Sequence, residues 1–202
     1  LDAAAALEGE TRSRSGQAAG TLRVNAPVTF GNLHLAPLWP RFLAEHPGVV
    51  LDITLNDRMV DLVEEGYDVA VRISRMPDSQ LVSRRLATTR IVLCAAPAYL
   101  AAHGTPRHPR ELADHQVLAY AHWSGGDDWR FSGPDGDTGV RIRPRLRTNS
   151  GDTCRAAALA GHGLILQPDF LVGEDLRRGD LVEVLPAYRS LELGIHAVYA
   201  SR

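Results

Sequence analysis

Arg72 stands where an apolar residue is expected. It lies between Val71 and Ile73 in the run Asp68-Val-Ala-Val-Arg-Ile73. An unpaired guanidinium on a strand covered on both faces is costly. Two readings are open: Arg72 clamps a ligand carboxylate in bidentate fashion, or it forms a structural pair with an acid such as Asp57 or Asp68. Other polar groups gather where strands are predicted to end. They are Pro27, Val28 and Thr29; Asn56 and Asp57; Ser74; Asn149, Ser150, Asp152 and Thr153; and Pro168 with Phe170. In open α/β sheets ligands sit beyond the carboxyl ends of strands, often at helix N-termini, whose free N–H groups favour an anion. Thr29 either caps the first helix or donates to the ligand.

The remaining reactive side chains point to ordinary roles. His103, His108, His115 and His122 fall on a helix end and loops without the tight spacing of a zinc site, so no metal or other cofactor is expected. Ser124-Gly-Gly lacks the strand–elbow–helix setting of a hydrolase nucleophile. Gly161-His-Gly163 follows a helix and is too short for a dinucleotide fingerprint; it reads as a tight turn with positive φ at one glycine. Cys94 and Cys154 are the only cysteines. They read as two semi-buried thiols of a reduced, cytoplasmic protein, since a redox switch needs a low-pKa thiolate. No base, nucleophile and orienting group stand at plausible positions, so the chain is not expected to be an enzyme.

The elements that position these residues alternate. Leu22–Pro27 is the first strand. Leu35, Leu38, Trp39, Phe42 and Leu43 follow a helical stripe, with Pro37 and Pro40 confining its regular part. Val49–Leu55 is the second strand, and Asn56-Asp57 is expected to cap a short helix carrying Met59, Leu62 and Val63, stopped by Gly66. Asp68–Ile73 is the third strand. Further on come the strand Arg90–Cys94, a helix opened by Pro97 and closed by Gly104, and a hairpin about Gly133-Pro-Asp-Gly136. Then follow a strand over Arg141–Thr148, a helix over Asp152–Ala160, a buried strand Leu164–Leu166 and a helix over Phe170–Arg178. Leu193, Ile195, Ala197 and Tyr199 alternate as a return strand. This order implies α/β lobes with parallel central sheets. Residues 1–20 read as a helix end followed by a flexible linker. Lobe I is expected over about 21–90 plus 191–202 and lobe II over about 91–190.

Composition excludes several classes. The chain has 202 residues, 45% of them hydrophobic, and a formal net charge of −2 with all 22 basic residues arginine. That balance lacks the basic excess of a nucleic-acid-binding domain. No apolar run approaches the ~20 residues that span a bilayer.

Six stretches together resemble one family. They are Gly20-Thr-Leu-Arg-Val-Asn-Ala-Pro27, Leu35-Ala-Pro-Leu-Trp-Pro-Arg-Phe42, and Asp61-Leu-Val-Glu-Glu-Gly-Tyr-Asp-Val-Ala-Val-Arg-Ile73. The others are Leu93-Cys-Ala-Ala-Pro-Ala-Tyr-Leu100, Ala156-Ala-Ala-Leu-Ala-Gly-His-Gly-Leu-Ile-Leu-Gln-Pro168 and Gly179-Asp-Leu-Val-Glu-Val-Leu-Pro186. In this order over 21–202 the chain resembles the effector-binding (substrate-binding) domain of LysR-type transcriptional regulators. The resemblance implies two Rossmann-like lobes joined by two crossing strands, periplasmic-binding-protein-like (type 2), with a small-molecule effector in the cleft. It also implies a homodimer through the sensing domains, with tetramers open for the full-length protein. Promoter DNA would be contacted only through an N-terminal domain, of which residues 1–10 would hold at most the end of the linker helix. An extracytoplasmic solute-binding protein shares the two-lobe logic and is the rival reading.

Overall fold

The computed structural model describes residues 18–75, 82–123 and 125–199. Expectations placed on residues 1–17 and on Ser124 lie outside them. Two compact units emerge, Leu1–Leu86 with Ile195–Arg202, and Ala87–Gly194.

The first unit is built on β1 (Ala19–Ala26), which already includes Ala19 and Gly20, residues the sequence assigns to the linker. It pairs in parallel with β2 (Gly48–Leu55) along its whole length and with β3 (Val69–Ser74) through Val24 and Asn25. Parallel neighbours require a crossover, and a helical segment supplies it. That segment is not one helix. α1 (Val28–Phe30) passes through a π-helical turn at Gly31–Leu35 and a 3-10 turn at Ala36–Leu38 into α2 (Trp39–Glu45). Pro37 and Pro40 each sit at the start of a new piece, as prolines without an N–H must. A Cβ on Gly31 would lie 2.5 Å from Leu55 Cδ2, so the crossover packs closely on the Leu55 side chain.

The helix expected after Asn56-Asp57 does not form. Asp57 turns back instead, and its Oδ1 accepts the Val28 N–H at 2.9 Å. Asp61 caps a turn in its place, its Oδ1 accepting from Val63 N and Glu64 N. Val60 and Leu62 are buried while Met59 and Val63 are exposed, a spacing of two that no helix satisfies.

The second unit contains β4 (Val82–Ala95) from Ala87 onward, together with α3 (Pro97–His103), β5 (Val117–Tyr120) and the hairpin of β6 (Asp128–Gly133) and β7 (Gly136–Arg141). After it come β8 (Pro144–Thr148), α4 (Gly151–Leu159), β9 (Ile165–Pro168), α5 (Asp169–Arg178) and β10 (Val182–Glu183). The chain returns along β11 (Glu192–Tyr199). The expected parallel sheet holds in part, Leu164 bridging Val117 in parallel, and is corrected for β4. β5 and β8 are parallel, but β4 runs antiparallel to both β9 and β10. β9 and β10, joined through α5, are parallel to each other on either side of β4, as a helical crossover demands; β4 is not part of that crossover and is free to oppose them.

The apolar run at 164–166 is continuous because both of its faces are covered. Leu164 and Leu166 enter a core with Ile91, Leu93, Tyr99, Trp129, Phe131 and Ile142. Ile165 enters the opposite one with Cys94, Leu118, Cys154, Ala158 and Val172 under α4 and α5. Gly161 (φ +78°) and Gly163 (φ +154°) make the turn before β9, and a Cβ on Gly163 would meet the Gln116 carbonyl oxygen at 2.6 Å. In β11 the buried residues are Ile195 and Val198; Tyr199, placed inward by the expected alternation, is exposed.

Candidate functional site

In the first unit the parallel register brings the carboxyl ends of β1, β2 and β3 to one edge. Pro27 is the extended residue that starts α1, and its carbonyl accepts from Gly31 N. Thr29 is buried as the second residue of α1 and does not cap it, which corrects the capping reading. Asp57 performs that function from across the sheet, as above. The Asn56 N–H donates to the Ala26 carbonyl at 3.0 Å, and the buried Asn56 Oδ1 has no hydrogen-bond partner. Ser74 ends β3 half-buried.

Arg72 is the centre of this edge. Its Nη1 donates to Asn25 Oδ1 at 2.7 Å and its Nη2 to the Val60 carbonyl at 3.1 Å. Neither predicted acid pairs with it. Asp57 is bound to Val28 N, and Asp68 Oδ2 accepts the Arg23 N–H at 2.9 Å. Glu65 is gripped by Arg58. Among the described residues Arg72 forms no ion pair and is held by two neutral acceptors. Burial lowers its pKa from the ordinary value, opposed by the charges of Glu65 and Tyr67.

In the second unit the ends of β8 and β9 converge at the N-terminus of α4. Ser150 is the N-cap, its Oγ accepting from Thr153 N at 3.2 Å, and its own N–H donates to Thr148 Oγ1. Asn149, Asp152 and Thr153 are exposed around it. A Cβ on Gly151 would stand 3.2 Å from Gln167 Oε1, so the helix start and the end of β9 nearly touch. Pro168 begins α5, and Phe170 packs on the core beneath α4 and α5.

Three further polar residues are buried in the strands. Asn25 is fully buried in β1. Gln167 is buried, and Thr89 is buried with its hydroxyl donating to Asp169 Oδ1 at 2.7 Å. The signal available was polarity inside an apolar strand, the argument that singled out Arg72.

The other reactive groups are locally engaged. His115 Nδ1 meets the Tyr99 hydroxyl at 3.0 Å and His103 stacks on the Tyr99 ring. The His108 ring accepts from Arg110 N. Among the described residues no group of three His, Cys, Asp or Glu side chains could hold a metal ion. Burial pushes the Cys94 thiol up to about 12 and the Cys154 thiol to about 11, the latter partly opposed by a hydrogen bond with Gln167. Such thiols are poor nucleophiles. Among the described residues no helix is long and apolar enough to cross a membrane.

Two α/β units with polar groups gathered at strand ends define a two-lobed binding module of the periplasmic-binding-protein-like (type 2) class. The LysR substrate binding domain family matches residues 15–202, and the chain belongs to it. It is 38% identical over 183 residues to an uncharacterized HTH-type transcriptional regulator of Haemophilus influenzae, covering 91% of this chain and 64% of that one. It is 33% identical over 198 residues to the uncharacterized HTH-type transcriptional regulator YhjC of Escherichia coli, covering 97% and 66%. The chain thus spans just under two thirds of these relatives' length. Among solved structures, the CrgA regulatory domain of Neisseria meningitidis superposes with a TM-score of 0.79 at 32% identity, covering 91% of this chain and 90% of that one. Full-length AphB, the Vibrio cholerae virulence activator, gives 0.83 at 27%, covering 100% and 68%. The relatives are transcriptional regulators, and nothing in the comparisons favours a solute-binding protein.

Proposed function

We propose that this chain is the small-molecule-sensing part of a cytoplasmic LysR-type transcriptional regulator, that its effector is a small anion, and that Arg72 binds it. The observation that carries this reading is a half-buried guanidinium toward the carboxyl end of parallel strands, held by Asn25 and Val60 and, among the described residues, paired with no carboxylate. Such a cation is strengthened by a bidentate acid. The contacts proposed in the first unit are Pro27, Val28, Thr29, Asn56, Arg72 and Ser74. Those in the second are Asn149, Ser150, Asp152, Thr153, Pro168 and Phe170. Asp57 contributes by fixing the start of α1, and Ser150 by fixing α4. The effector acts by its differential affinity for two conformations of the regulator, with no turnover and no cofactor. Promoter DNA is contacted by another part of a longer protein. Leu33, Leu38 and Leu43 are exposed along the α1–α2 segment, an apolar stripe that supports pairing of two sensing domains into a homodimer.

The test is a thermal-shift and calorimetric screen of small aliphatic and aromatic carboxylates. A true effector at a hundredfold excess over its Kd stabilises the protein by about 2.7 kcal/mol. Arg72→Ala should abolish the response and, by orphaning Asn25, lower unliganded stability by about 1–3 kcal/mol. Carboxylate binding of undiminished affinity in Arg72→Ala refutes the assignment.

A further inference from the structure

The strongest polar feature outside the sequence-predicted set is Asn25. It has no solvent exposure, and its side chain bonds to the strands on both sides of β1. Nδ2 donates to the Thr54 carbonyl of β2 at 3.3 Å, and Oδ1 accepts from Arg72 Nη1 of β3 at 2.7 Å. An aspartate at this position would have nearly the same shape and would stand at ion-pair distance from the guanidinium. The chain has an amide instead. Among the described residues the neighbouring acids bond elsewhere: Asp57 to Val28 N, Asp68 to Arg23 N, Glu65 to Arg58.

We propose that Asn25 determines the charge specificity of the effector site: it positions the Arg72 guanidinium while leaving it un-neutralised, so that the site accepts a carboxylate and discriminates against the isosteric neutral amide. This rests on the effector-binding reading of Arg72 and adds the residue that makes that reading work. Two neutral acceptors fix the orientation of the guanidinium, and among the described residues it forms no ion pair. A buried amide can satisfy a cation's geometry without cancelling its charge. A carboxylate in its place would do both, and a ligand anion would then meet a neutral pair.

The experiment compares matched acid and amide probes, benzoate with benzamide and succinate with succinamide, by calorimetric titration of the 202-residue chain. Wild type should bind at least one acid roughly tenfold or more tightly than its amide. Asn25→Asp should lose that preference, binding acid and amide within about threefold of one another, because the introduced carboxylate neutralises Arg72. Asn25→Ser, which is neutral and shorter, should keep the preference with weakened affinity. It also carries the test if Asn25→Asp, which trades the donor to Thr54 for a second acceptor, does not fold. A wild type indifferent to the acid–amide exchange overturns the effector reading itself. A wild type that discriminates, together with Asn25→Asp discriminating equally or Asn25→Ser losing all preference, overturns the role of Asn25 alone.

Discussion

Removing the Asp175 carboxylate should unfold the second unit more readily than any surface change. Asp175 lies on α5 with no exposure, and two arginines converge on it. Arg155 of α4 is bidentate, Nε to Oδ2 at 2.5 Å and Nη2 to Oδ1 at 2.6 Å, and Arg178 Nη2 adds a bond to Oδ1 at 3.0 Å. Breaking a buried pair by deleting one partner costs about 3–5 kcal/mol, because the other charge is left uncompensated. Here Arg155 is 31% and Arg178 53% exposed, so both can turn toward water and the lower end applies. Asp175→Ala should therefore cost about 3 kcal/mol, a fall of roughly 10–20 °C for a unit of this size. The fluorescence of Trp129, buried in that unit, reports the transition. The pH dependence gives a second check. Burial alone would raise the Asp175 pKa, but the bonds and charges of Arg155 and Arg178 outweigh it and hold it below the ordinary value. With the folded pKa depressed, the stabilisation is complete above the unfolded carboxylate pKa of about 3.9 and disappears as pH falls through the folded value. The gap between wild type and Asp175→Asn should hold from pH 7 to 5 and narrow below about pH 4. A gap under about 0.5 kcal/mol at pH 7, or one unchanged down to pH 3, would refute the reasoning.

Two further predictions follow from the packing. Gly163→Ala places a Cβ against the Gln116 carbonyl oxygen at a φ that L-residues rarely adopt, and should cost about 1–3 kcal/mol by denaturant titration. Gly139→Ala, whose Cβ meets nothing within 4 Å, should stay within about 1 kcal/mol of wild type. If the sensing domains pair through the α1–α2 segment and α4, Arg41→Glu and Ala157→Glu should each shift the mass in solution toward monomer, because a two-fold interface receives each new charge twice. Arg41 is exposed beside Glu45 and Ala157 is half-buried. A wild type that is monomeric at tens of micromolar, or dimers unaffected by both changes, would remove the pairing model.

Most of the element order was legible because period and punctuation agree. Pro97 and Gly104 bound α3, Gly179 in the left-handed conformation stops α5, and Pro134-Asp135 before Gly136 turns the hairpin. What was not legible depended on partners distant in sequence. Asp57 looked like the cap of the segment following it, but it caps α1, 29 positions earlier. The strand over 164–166 was recognisable as buried on both faces, yet its direction relative to β4 is set by topology that hydrophobic pattern does not encode. Arg72 was identifiable as anomalous from its neighbours alone. Its partners were not, because Asn25 is 47 positions away and Val60 contributes a backbone carbonyl rather than a side chain.

The anomalies share a position along their own strands. Asn25 near the end of β1, Arg72 in β3 and Gln167 in β9 are polar residues in strands where apolar side chains would pack at lower cost. All three lie toward carboxyl ends, where α/β sheets receive ligands. Elsewhere in the second unit the same kind of strand position is filled by Ile91, Leu93, Leu164 and Leu166. At the β1–β3 edge of the first unit, a guanidinium that forms no ion pair among the described residues is held by a buried amide, the kind of local cost expected where stability is given up for function.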